Sequence, residues 1–162
     1  MSLSDGEQID CDAVVLCTGP QAGPFVASVD GGKDRFSRLL VDAYLRAPKA
    51  RGVFVAGDAC CATPEPGAGT LMSCQHALIL GKYAGENAAR DLLGMPLLEY
   101  SQPRYVTCLD LGRSGAVFCE GWDRVPKVTG EQAKAIKTEI NTRKIYPPIG
   151  NRDETLAASH IG

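Results

Sequence analysis

An apolar run that stops on a carboxylate constrains this chain more than any other feature. Val53-Phe54-Val55-Ala56 leads straight into Gly57-Asp58, and Cys60 and Cys61 follow. A short apolar run of β-branched and aromatic residues, closed by glycine, predicts a buried strand. In an open α/β sheet, ligands sit beyond the carboxyl ends of the strands. That places Asp58 at the rim, and Gly57 lets a ligand come close to the backbone. An ionised carboxylate only accepts hydrogen bonds, so it suits sugar-type hydroxyls and repels phosphate. The run therefore predicts an α/β sheet with a hydroxyl acceptor at its edge.

The rest of the chain supplies candidate neighbours. Residues 9–19, Ile-Asp-Cys-Asp-Ala-Val-Val-Leu-Cys-Thr-Gly, predict a second buried strand, stopped at Thr18-Gly19. Residues 20–35 are broken by proline and glycine and read as a connection with one short helical turn. The pattern over 38–47 fits helix and strand equally, and 59–69 is a loop with two prolines and two glycines. From Thr70 to about Leu93, apolar or small residues at 71, 74, 77, 78, 81, 84, 85, 88 and 92 line one helical face. Gly94 and Pro96 stop that helix. Its first amides carry about half a unit of positive charge and favour a nearby anion.

Farther on, Arg104–Leu111 and Ala116–Trp122 flank Gly112-Arg113-Ser114-Gly115 and predict a β-hairpin packed through Phe118 and Trp122. Thr129 with Gln132 reads as a capping box, and Ala133, Ile136 and Ile140 form a narrow stripe on the helix that follows. The polar tail from Asn151 is expected to be disordered. Domain boundaries are expected at 1–97, 98–150 and 151–162, with no internal repeat.

Composition narrows the function. A net charge of −2 argues against nucleic-acid binding, and the start of the chain is too polar and acidic for a signal peptide. No apolar run approaches the ~18 residues a membrane span needs, so the expectation is a cytoplasmic chain. Seven cysteines form no CxxC pair and there are only two histidines, which argues against a zinc site and a disulfide framework. Most of these cysteines sit in apolar runs and read as small hydrophobes. Cys60 and Cys61 read as buried or loop-lining thiols, because bonding adjacent cysteines closes a strained ring. His76 reads as a packed or surface histidine, and Lys134, Lys137, Arg143 and Lys144 as a solvated face diluted by Glu131 and Glu139.

Four quoted stretches carry a family resemblance. "LLVDAYLRAPKARGVFVAGDAC" (39–60) resembles the second flavin motif of the two-dinucleotide-fold flavoproteins, and "IDCDAVVLCTG" the strand before it. "SCQHALILGKYAGENAARDLLGMPL" (73–97) and "VTCLDLGRSGAV" (106–117) resemble the type II NADH dehydrogenases, single-chain non-pumping NADH:quinone reductases. The resemblance implies FAD as cofactor, NADH as substrate and a quinone or similar electron acceptor. It implies that Asp58 and Gly57 hold the FAD ribitol and that Thr18-Gly19 line the crevice. Leu71, Cys74 and Gln75, at the helix start, would meet the pyrimidine edge of the flavin. The resemblance implies no catalytic side chain and no metal in this chain.

Two departures bear on that reading. The family's AQxAxQ helix motif appears here as Cys74-Gln75-His76-Ala77-Leu78-Ile79, so the second glutamine is an isoleucine. The phosphate-gripping GxGxxG is absent, since "GAGTLM" (67–72) lacks the third glycine and follows no strand. With the NADH unit also absent, the expectation is a C-terminal segment of an FAD domain (1–97) plus a subdomain (98–150). Such a piece should be inactive alone, bind little FAD, and self-associate as a dimer or larger species. The full-length relatives imply peripheral contact at the inner membrane face. Alternatives are a ferredoxin or sulfide:quinone reductase of the same superfamily, or a flavin-free interaction module.

Overall fold

The computed structural model describes residues 1–64 and 67–161. Glu65 and Pro66 of the proline-rich loop lie outside it, as does Gly162. The chain is α/β. A two-residue parallel pair, β1 (Leu39–Leu40) and β2 (Cys60–Cys61), sits under helix α1 (Cys74–Leu92). Leu39, Leu45, Cys60 and Leu80 form its fully buried centre. Beyond α1, strands β3 (Val106–Asp110), β4 (Ala116–Glu120) and β5 (Val125–Thr129) form an antiparallel sheet in that order. Helix α2 (Gly130–Glu139) packs on this sheet and continues as a π turn over Ile140–Lys144, and α3 (Arg152–Ser159) follows.

Between Asp34 and Arg46 the same small device occurs twice. Asp34 Oδ1 accepts from the amides of Phe36 and Arg38, both at 2.9 Å, and Oδ2 accepts from Arg38 Nε at 2.8 Å. Asp42 does the same for Tyr44, Arg46 and Arg46 Nε, at 2.9, 2.9 and 2.8 Å. In each turn the residue before the arginine has positive φ, 62° at Ser37 and 65° at Leu45. Each arginine also covers the turn's aromatic ring. This Asp-x-aromatic-x-Arg turn is why 38–47 is neither helix nor long strand. A left-handed leucine costs about 1–3 kcal/mol, and complete burial of Leu45 offsets it.

Several expectations need correction. Val53–Asp58 is not a continuous strand. Phe54 makes one antiparallel bridge with Arg46, and Val55 N–H donates to Leu45 O at 2.9 Å, because the Asp42 turn folds the preceding chain back beside it. Gly57, at φ +63°, then breaks the extension. Residues 9–19 form no strand either: they are exposed, with Val15 84% and Leu16 79% accessible. A buried parallel strand needs hydrogen-bonding neighbours, and among the described residues only Ile9 has a backbone partner, exchanging bonds with Met1.

The buried face of α1 is His76, Leu80, Ala84 and Asn87, rotated from the expected one. Leu78 and Leu92 are exposed. The rotation is possible because Asn87 is fully satisfied inside, donating to Tyr44 O (2.9 Å) and Leu98 O (2.8 Å) and accepting from Leu98 N–H (2.8 Å). The hairpin forms as expected, and a third strand that was not expected, β5, joins it and carries Pro126. On an edge, where β5 lies, proline is tolerated. Thr129 precedes α2 without a side-chain cap bond. The tail, expected disordered, forms α3, capped by Asn151 Oδ1 through the amides of Asp153 and Glu154 at 3.1 Å. Cys11, Cys17 and Cys74 are exposed, contrary to the buried reading.

The first turn of α1 is bolted to the hairpin. Gln75 Nε2 donates to Val106 O at 2.9 Å and Gln75 Oε1 accepts from Val106 N–H at 3.2 Å. His76 is fully buried and stacks on Tyr105 and Trp122, with centroids 5.5 and 5.7 Å away. Its Nδ1 lies 3.0 Å from Gln102 Oε1, which also accepts from Tyr100 OH at 2.7 Å. An amide oxygen only accepts, so Nδ1 carries a proton, and burial favours the neutral form of the ring. Nε2 of His76 and Nε1 of Trp122 have no partner among the described residues.

Two consequences can be measured. A Cβ on Gly115 (φ +88°) would lie 2.6 Å from the Gly130 carbonyl carbon, so Gly115→Ala must part β4 from the start of α2. It should lower stability by at least about 2 kcal/mol in urea denaturation. Burial lowers the pKa of His76 from its ordinary 6.5, so the folded state resists a proton that the unfolded chain accepts. Stability is therefore full above about pH 6.5 and falls as pH drops below it, by at most ~1.4 kcal/mol per pH unit. Urea midpoints between about pH 7.5 and 5.5 should shift less in His76→Phe than in the parent.

Candidate functional site

Gly57, Asp58 and Ala59 form a single 3-10 turn between the Phe54 bridge and β2, and this turn packs against α1. The nearest side-chain atom to a Cβ on Gly57 would be Ala77 Cβ, at 3.9 Å. Space is therefore open there, and it is the φ of +63° that requires glycine. Asp58 is exposed, and among the described residues its carboxylate makes no hydrogen bond or ion pair. It remains a free acceptor.

Opposite the turn, α1 begins at Ser73, whose Oγ accepts from His76 N–H at 3.4 Å. That leaves the Cys74 and Gln75 amides without an intrahelical partner, the usual condition of a helix start. Cys74 and Leu71 are exposed beside them. The Gln75 side chain is not available to a ligand, because both ends of its amide are bound to Val106. Thr18 and Gly19 lie in the exposed 9–19 segment, and no pairing brings them to Asp58. Of the seven expected site residues, the structure therefore brings two groups together, the 57–58 turn and the helix start.

Residues the sequence reading passed over hold this arrangement. Arg38 is buried, ion-paired to Asp34 at 2.7 Å, and its Nη1 donates to Thr70 O. Its Nη2 lies 3.6 Å from Cys61 Sγ. Thr70 and Ala62 close the loop between them: Thr70 N–H donates to Ala62 O at 2.9 Å, and Ala62 N–H to Thr70 Oγ1 at 3.1 Å. The doubled Asp-x-aromatic-x-Arg spacing was the available signal for Arg38. Next to it, burial pushes the Cys60 thiol up to about 12. Burial also raises Cys61, despite Arg38. Neither thiol is a ready nucleophile, and all seven cysteines are free.

From the helix start a groove of about 1180 Å³ runs between α1, the 101–105 segment, β3 and the π turn. Its walls are mainly apolar, including Leu71, Leu78, Ile79 and Ile140, with Cys74 and Gln75 at its edge. Ile79 thus stands where the resemblance would have put a glutamine, and the groove lacks that polar contact. Among the described residues, no cluster of His, Cys, Asp and Glu suits a metal, and no helix is long and apolar enough to cross a membrane.

Comparison with known proteins identifies the family. A NADH dehydrogenase-like protein of Mycobacterium tuberculosis, found in two strains, is 44% identical over 160 residues. The match covers 98% of this chain but 40% of that protein, so the chain spans well under half the length of these relatives. An internal alternative NAD(P)H-ubiquinone oxidoreductase of Arabidopsis thaliana mitochondria is 34% identical over 82 residues, 50% of this chain and 16% of that one. The model of the pyridine nucleotide-disulphide oxidoreductases matches residues 1–81, which include the Gly57-Asp58 turn and the start of α1. The chain belongs to the pyridine nucleotide-disulphide oxidoreductase family.

Proposed function

We propose that this chain forms the flavin-edge and acceptor-side part of an FAD-dependent NADH dehydrogenase. The observation that carries the reading is the free Asp58 carboxylate on a turn packed against α1, the helix whose first amides are open. The carboxylate suits the hydroxyls of the ribitol chain. The Cys74 and Gln75 amides suit the edge of a flavin ring where negative charge gathers on reduction. The cofactor, when bound, would supply the hydride chemistry, taking it from NADH. The groove beside it, apolar at Leu78 and Ile79, suits an acceptor with an apolar body and favours a quinone over a protein such as ferredoxin. We place the intact protein at the inner membrane face as a peripheral protein, and read residues 1–97 as FAD-domain segment and 98–150 as subdomain.

A flavin-free interaction module is the second reading. The exposed apolar run Val14-Val15-Leu16, with Phe25 80% accessible, favours it, since such patches mark contact surfaces. The same patch leads us to expect a dimer or larger species of the isolated chain.

Three measurements test the proposal together. The isolated chain should show no flavin absorbance after purification and no NADH oxidation; a yellow preparation would contradict the fragment reading. In the full-length protein, Asp58→Ala removes a charged acceptor worth about 1.5–3 kcal/mol, so FAD affinity should fall ~10- to 100-fold. Unchanged flavin content in that variant would overturn the role given to Asp58. Light scattering of the isolated chain should report a dimer or larger, and a clean monomer would count against the exposed run as a contact surface.

A further inference from the structure

The groove has a charge pattern that a neutral acceptor does not require. Five cationic side chains line it and, among the described residues, no acidic one does. Two of the five are already engaged: Lys144 pairs with Glu139 at 3.4 Å, and Lys82 donates to His160 O at 3.2 Å. Arg104, Arg124 and Lys137 have no ion-pair partner among the described residues. They border an apolar floor that includes Leu78, Ile140 and Ile145. The chain as a whole carries a net charge of −2, so this one-signed lining is a local departure from its average.

We propose that the groove binds a free long-chain carboxylate, with the acyl chain along the Leu78–Ile140 floor and the carboxylate against Arg104 and Lys137. Guanidinium groups pair with carboxylates through two parallel hydrogen bonds, and Arg104 stands on the segment that forms the groove wall. Lys137 lines the groove from α2. An anion seated there would exclude any acceptor that uses the same floor, and so would regulate turnover by competition. The binding assignment itself does not depend on the flavin or quinone reading.

The test uses the chain as it stands, with monomeric dodecanoate as the probe. Trp122 is the only tryptophan and stacks 4.3 Å from Tyr105, which lines the groove, so its fluorescence reports occupancy. Calorimetry gives the affinity independently. Dodecanoate should bind saturably, and decanoate about 16-fold more weakly, since each of the two buried methylenes contributes roughly a fourfold factor. Arg104→Gln and Lys137→Gln should each weaken dodecanoate about two- to fivefold and leave dodecyl alcohol unchanged. Raising the salt should weaken only the acid. Lys127→Gln on β5, outside the groove lining, is the control and should change nothing. Equal affinity for acid and alcohol, an equal loss in Lys127→Gln, or binding to anionic vesicles without binding of monomeric dodecanoate would each overturn the proposal.

Discussion

Both ends of the Gln75 amide are held by the backbone of one residue, Val106, and the rest of the molecule is arranged around that joint. Val106 opens β3, so the pair of bonds fixes the first turn of α1 against the edge of the C-terminal sheet. One residue later, His76 enters the Tyr105–Trp122 stack and reaches Gln102. A side-chain amide that pairs with a backbone N–H and C=O is directional in a way that apolar packing is not. A neutral, tautomer-fixed imidazole in an aromatic stack adds burial at the same point. At this joint α1 is pinned beside β3, and residues of both elements line the groove.

A second constraint sets where the site faces. The buried Arg38 guanidinium binds the 34–38 turn, the loop carbonyl of Thr70 and the neighbourhood of β2 at once. Asp34 neutralises it, and Arg38 together with the Phe36 and Arg38 amides holds the Asp34 carboxyl below its ordinary range despite burial. Losing one partner of such a pair leaves a buried charge uncompensated. Through these bonds the glycine-rich loop ends at a fixed point, so α1 begins beside the 57–58 turn. The juxtaposition of a free carboxylate and open helix amides is therefore a product of residues that touch neither.

Much of this was legible from residue type and spacing. The hairpin could be read because Gly112-Arg113-Ser114-Gly115 separates two β-rich runs, and α1 because Gly94 and Pro96 end a long periodic stretch. What misled was burial inferred from apolarity alone. The run from Ala13 to Gly19 scans as a core strand, yet a strand is buried only where other strands accept its hydrogen bonds, and that information lies outside the segment. The inner face of α1 includes His76 and Asn87, polar residues that no hydrophobic pattern selects and that only tertiary partners can satisfy. Motif reading singled out Asp58 and Ile79. Arg38 was missed, although the Asp-x-aromatic-x-Arg spacing occurs twice, because its contacts with Thr70 and Cys61 lie 32 and 23 residues away.

The adjacent thiols show how family and residue chemistry separate. The family's name points to disulphide exchange, and a reactive dithiol would need an accessible, low-pKa cysteine. Cys60 is fully buried with its thiol pushed up to about 12, which is the opposite condition. Cys61 has a cation 3.6 Å away, but burial outweighs that attraction and Arg38 is already committed to Asp34 and Thr70. In β2 the pair instead supplies the register with Leu39 and Leu40, small enough for the strand to sit directly beneath α1. The two sulfurs act as packing atoms in the core beside the 57–58 turn.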